Sequence, residues 1–124
     1  MDRMNPNSAH IRFAALFGAL AVGLGAFGAH ALADVLTKNG TLEIWKTASQ
    51  YHFIHTLALL VLGLMGERAG KSWCLLLAGT IIFSGSLYTL ALTNIKWFGA
   101  ITPIGGLLMI IGWLLLALRA GKQA

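Results

Sequence analysis

The chain has 124 residues, 57% of them hydrophobic and only 10% charged, with a mean hydropathy of +0.76. Soluble domains carry about a quarter charged residues, so the composition excludes an ordinary soluble domain and describes one bilayer domain over residues 1–124. Nine Lys/Arg against four Asp/Glu leave a formal charge of +5, but these charges sit at the termini and in short connections, which argues against nucleic-acid binding and for charge sorting across a membrane.

Residues 1–12 form a basic head with Asp2, Arg3, His10 and Arg12, expected to be poorly ordered. From Phe13 to Ala33 there is no Asp, Glu, Lys or Arg, a run of about the 20 residues a helix needs to cross a bilayer. This predicts the first transmembrane helix over 13–33. Two rows of small residues recur at four-residue spacing, Ala21, Gly25, Ala29, Ala33 and Ala15, Ala19, Gly23; both are candidate faces for close helix packing. A cleaved signal peptide ending at Ala33 is the rival reading. The apolar run exceeds the usual 7–15 residue signal core, so a retained span is preferred.

Asp34 to Gly40 is expected to be the first connection, with Asn39-Gly40 a turn signal, and Thr41 is placed to cap the next helix. An amphipathic interfacial lead-in over 41–50 runs into a second span over 48–65, one helix from Leu42 to Met65. Gly66 to Lys71 is a short charged turn. The third span, 72–93, grows polar toward its end, where Thr80, Ser84 and Tyr88 share one helix face. Lys96-Trp97-Phe98 marks an interface, and Thr102-Pro103 opens the fourth span, 102–118. Cys74 is the single cysteine; no internal disulfide can form, and apolar packing is its expected role.

With four spans, Arg3, Arg12, Arg68, Lys71, Arg119 and Lys122 fall on one side, and Lys38, Lys46 and Lys96 on the other. Both termini are therefore expected in the cytoplasm. That topology gathers a polar layer near the outer ends of the helices: His30, Asp34, Gln50, Tyr51, His52, His55, Tyr88, Asn94 and Thr102. The spans hold no Asp, Glu, Lys or Arg, which argues against an ion-coupled transporter.

His52 and His55 lie three residues apart, on one helix face. Two main readings of them stand, and a proton switch, resting only on the ordinary imidazole pKa of ~6.5, is a lesser third. Rings hydrogen-bonded to neighbouring helices are favoured, because His-x-x-His spacing alone is a weak ligand signal. Metal or haem ligation by His30, His52 and His55 is the alternative, with Asp34 orienting His30. The string Gly23-Leu-Gly-Ala-Phe-Gly28 has dinucleotide-motif spacing, but it lies inside an apolar span without the preceding strand, so helix packing is expected. No catalytic residue emerges.

Several strings together resemble the YgdD/YwdK-type family of small inner-membrane proteins: Gly25-Ala-Phe-Gly-Ala-His-Ala-Leu32, Trp45-Lys-Thr-Ala-Ser-Gln-Tyr-His-Phe-Ile-His-Thr-Leu-Ala-Leu59, Phe83-Ser-Gly-Ser-Leu-Tyr88, Ile101-Thr-Pro-Ile-Gly-Gly106 and Gly112-Trp113. The resemblance runs from about Phe13 to Leu118, and the family is also similar to a small eukaryotic transmembrane protein. It implies four membrane helices and supplies no catalytic role to carry over.

The expectation is thus an all-α, multi-pass protein of the bacterial inner membrane with four transmembrane helices and no predicted cofactor. Its expected role is that of a non-enzymatic binding or assembly module, with membrane lipid, a second copy or another membrane protein as partner. A His-dependent metal- or haem-binding protein and a small channel or carrier are the alternatives.

Overall fold

The computed structural model describes residues 5–123, and all regular elements among them are helical. Asp2 and Arg3 lie outside the described residues, as do the side chains of Ala29 and Lys122. The helices are α1 (Ser8–Ala29), α2 (Ala33–Asn39), α3 (Leu42–Met65), α4 (Gly70–Thr93) and α5 (Thr102–Gln123), with short 3-10 turns at Gly66–Ala69 and Lys96–Ala100.

Among the described residues three continuous helical stretches are long and apolar enough to cross a membrane: Ser8–Gly28, Leu42–Thr93 and Lys96–Ala120. The middle one has 52 residues, which straight would reach about 78 Å at 1.5 Å per residue. It is bent double instead. Gly66 takes φ 76° and ψ −147°, a conformation essentially confined to glycine, and α4 returns antiparallel to α3. Trp73 Nε1 donates to the Leu59 carbonyl at 3.1 Å and Ser84 Oγ to the Ala48 carbonyl at 2.8 Å. The helices then pack in order, α1 on α3, α3 on α4, α4 on α5.

Local chemistry sets the ends. Asn7 caps α1, its Oδ1 accepting from the His10 N–H at 3.0 Å. The helix therefore begins inside the head that the sequence suggests is poorly ordered, because a capped turn continues directly into the apolar run. It stops at Ala29, ahead of the predicted Ala33, and α2 forms as a separate short helix that ends at Gly40 in the left-handed region, φ 69°. Thr41 precedes α3 but does not cap it. Its hydroxyl donates to the Ala91 carbonyl at 2.7 Å, and Asn39 Nδ2 donates to the carbonyls of Ala91 and Leu92 at 3.1 and 3.2 Å. The last carbonyls of α4, which a helix leaves without intrahelical donors, are thus satisfied by the α2–α3 corner. Buried Leu36 of α2 packs with Trp45 and Ala91 beneath it.

The packing seams follow heptad-like steps rather than every fourth residue. On α1 the covered positions are Ala14, Ala21 and Gly28, with a Cβ on Gly18 only 3.0 Å from Thr56 and one on Gly28 colliding with the Trp45 indole. Gly23 and Gly25 have no neighbour within 4 Å of a built Cβ, so the expected four-residue rows are not the seam. A pair of helices crossing at a small left-handed angle meets in 4,3,4,3 steps. Between α4 and α5 the backbones touch: a Cβ on Gly79 would stand 2.8 Å from the Gly105 carbonyl oxygen. The outer faces carry exposed Leu16, Leu20, Val61, Leu107, Ile110 and Leu118, an apolar belt far beyond what a water-facing monomer shows. Cys74 lies on such a face, exposed rather than packed in the core.

Candidate functional site

The chemistry-bearing residues gather halfway along the bundle, on α3. His52 is 2% exposed and His55 6%. His52 lies against Phe17, midway along α1, and His55 against Trp113, midway along α5, so the two imidazoles sit deeper than the layer expected from the sequence. Polar groups buried at that depth are expensive in lipid and mark functional sites by default.

Each ring has its own partners. His52 Nε2 is 3.2 Å from the Phe17 carbonyl oxygen and Nδ1 is 3.0 Å from the Tyr88 hydroxyl. A carbonyl only accepts, so the His52 proton belongs on Nε2. His55 has the opposite arrangement. The Trp113 indole donates to its Nε2 at 3.1 Å, which leaves Nδ1 to carry the proton and donate to the Tyr51 carbonyl at 2.9 Å. An indole N–H can only donate, so the His55 Nε2 is the acceptor of this pair. In this geometry neither ring presents a free lone pair.

The remaining candidates divide by position. Tyr88 also lies 3.4 Å from Ser49 Oγ and packs on Trp45 at a ring distance of 4.6 Å. Tyr51 is exposed, yet its ring leans on Phe83 at 4.5 Å. Thr102 pairs with Ser86 at 2.6 Å, tying α5 to α4 nearer the α2 end. Asn94 ends α4 in the left-handed region at φ 56°, and Gln50 and Asp34 are exposed. His30 is exposed just after α1, and its backbone N–H donates to Ala26 and Phe27. The structure thus joins His52 to Tyr88 but does not bring His30 to His52 and His55. Among the described residues no group of three His, Cys, Asp or Glu side chains is placed to hold a metal ion.

Trp113 and Trp73 were not singled out as partners in the sequence. For Trp113 a signal was present: an indole inside a span, away from the interface, must find an acceptor because lipid offers none. Trp113 finds the His55 nitrogen and Trp73 the Leu59 carbonyl.

Beside this network, α1 and α4 flank α3 and leave a groove of about 330 Å³ between them. Phe13, Phe17, Leu20 and Leu24 form one wall, Ile81 and Gly85 the other, and His52, Thr80, Ser84 and Tyr88 border it. The polar side chains are already spent. Thr80 donates to the Leu76 carbonyl at 2.6 Å, Ser84 to the Ala48 carbonyl at 2.8 Å, and Tyr88 meets His52. What the groove offers a visitor is therefore hydrocarbon.

Residues 24–106 match a family model described as "Protein of unknown function (DUF423)". The chain is 49% identical over 114 residues to a "UPF0382 membrane protein" of Staphylococcus epidermidis (strain ATCC 12228 / FDA PCI 1200), covering 89% of this chain and 93% of that one. It is 43% identical over 110 residues to "UPF0382 membrane protein YwdK" of Bacillus subtilis (strain 168), covering 83% and 88%. No solved structure matches the chain.

Proposed function

The chain belongs to the DUF423 family, among UPF0382 membrane proteins, and from that premise we propose that it is a four-span inner-membrane protein that binds an apolar chain in the groove between α1 and α4. Each of α1, α3, α4 and α5 is 22 to 24 residues long, about 33–36 Å at 1.5 Å per residue and so sufficient for roughly 30 Å of hydrocarbon. An even number of crossings puts both termini on one side. Arg3, Arg12, Arg68, Lys71, Arg119 and Lys122 then face Lys38, Lys46 and Lys96 across the membrane, and the richer side is cytoplasmic. A periplasm-silent, cytoplasm-active reporter fused after Ala124 is expected to be active; activity only from a periplasm-specific reporter would overturn the topology.

The observation that supports the binding role is the groove itself. Its polar neighbours are hydrogen-bonded inside the protein, so an occupant gains packing against Phe17, Leu20, Leu24 and Ile81 rather than polar recognition. A hydrocarbon chain from the surrounding bilayer satisfies that surface. The role is non-enzymatic: the structure supplies a shaped apolar wall, and the His52–Tyr88 pair fixes its floor by tying α3 to α1 and α4.

Gly85 provides the test. A Cβ there meets nothing within 4 Å, so Gly85→Leu fills the groove without striking the backbone. Lipid retained per protein after mild detergent extraction, read by native mass spectrometry, is expected to fall by about one chain-bearing molecule while the melting temperature holds. Equal retention by wild type and variant would refute the groove's role.

A further inference from the structure

At the end of the bundle opposite α2, α4 and α5 carry the same pattern twice. Lys71 stands one helical turn outside Leu75 on α4, and Arg119 one turn outside Leu115 on α5; four residues rise about 6 Å. These four side chains line a shared groove of about 610 Å³. Two cations thus form a collar over an apolar slot. Lys71 is exposed, without a hydrogen-bond or ion-pair partner among the described residues. Arg119 donates once, to the Arg68 carbonyl at 3.0 Å, leaving further donors of its guanidinium fork free for an oxyanion.

Among the described residues Glu67 is the one carboxylate lining the groove, and it is exposed. His10 closes another part of the wall, its ring stacked on Trp73 at 3.9 Å and 4°. The start of α4 also has no side-chain cap, and the positive end of its helix dipole lies beside Lys71.

We propose that this groove holds an anionic phospholipid, with the phosphate between Lys71 and Arg119 and an acyl chain along Leu75 and Leu115. The charge sign, the one-turn offset between cation and leucine, and the position at the end of an apolar belt together match a phosphodiester above hydrocarbon. A basic pocket between helices on the side of the termini is the general form of such sites. The site is separate from the groove between α1 and α4 and stands whether or not that one is occupied.

The test titrates phosphatidylglycerol or phosphatidylcholine onto the delipidated full-length protein and reads binding by native mass spectrometry. Phosphatidylglycerol is expected to bind more tightly. Lys71→Ala weakens it about fivefold and Lys71→Ala with Arg119→Ala roughly 30-fold, at ~1 kcal/mol per basic residue. Lys96→Ala, at the other end of the bundle, leaves binding unchanged. Equal affinity for the two lipids, an unaltered Lys71→Ala variant, or an equal loss in Lys96→Ala would overturn the site. Inorganic phosphate binding as tightly as the lipid would reassign it to a free anion. Lys71→Ala carries the test alone should the double variant fail to fold.

Discussion

Gly105→Ala is expected to pull α5 away from α4 and to lower the melting temperature in mild detergent. A Cβ at Gly105 runs into the backbone nitrogen of Phe83 and stands 2.6 Å from the Gly79 carbonyl oxygen. Backbone cannot step aside as a side-chain tip can, so the cost lies at or above the upper end of the ~1–3 kcal/mol of ordinary overpacking. Membrane helices gain nothing from hydrophobic exclusion between one another, and close packing is what holds them. Losing this crossing therefore loosens Met109 and Gly112, which continue the same seam against Gly79 and Leu76. Gly106→Ala is the control: its Cβ meets Phe83 Cδ2 at 3.7 Å, ordinary contact. The pair should differ strongly, and similar melting of the two variants would show that α5 does not cross α4 at Gly105.

Gly66→Ala is expected to be the second large loss. Its φ of 76° with ψ −147° lies where non-glycine residues are strained, by about 1–3 kcal/mol. The new methyl would also collide with the Asn5 carbonyl. The segment before α1 crosses the α3–α4 turn there, and the Asn7 N–H donates to the Gly63 carbonyl at 2.8 Å. Gly40→Ala separates the two causes. Gly40 also has positive φ, 69°, but open space around its Cβ, so it pays the backbone strain without the collision. Melting curves should rank wild type, Gly40→Ala, then Gly66→Ala. A Gly66→Ala protein as stable as Gly40→Ala would mean that residues 5–7 do not pack across the turn.

The His52–His55 pair shows how sequence and structure divide. Helical spacing puts the two rings on one side of α3, and that much is arithmetic. Their destinations are not. His52 reaches α1 and α4 through Phe17 and Tyr88, while His55 reaches α5 through Trp113. Three residues along a helix turn a side chain by about 300°, roughly 60° short of a full turn, enough to aim neighbours at different helices. The pair is therefore a three-way tie rather than a shared site.

The same split appears in the hydroxyls. Thr80, Ser84 and Tyr88 share a face by spacing, and all three border one groove. Thr41 looked like a cap because threonine before a helix commonly is one, yet its hydroxyl goes to Ala91. Cap and cross-helix acceptor compete for one donor, and the sequence near Thr41 contains no information about Ala91.

Sequence by itself determined that this chain is helical and membrane-bound, where α3 runs, and that the chain turns at Asn39-Gly40, because hydropathy, span length and turn chemistry are sums over neighbouring residues; that a short helix, α2, precedes that turn was not among them. Tertiary structure alone decided which glycines touch, that His52 and His55 lie midway along the bundle, and that α1 and α4 leave an apolar groove between them. Those properties depend on the depth and crossing angle at which two distant helices meet, and a helix's own residues set neither until its partner is in place.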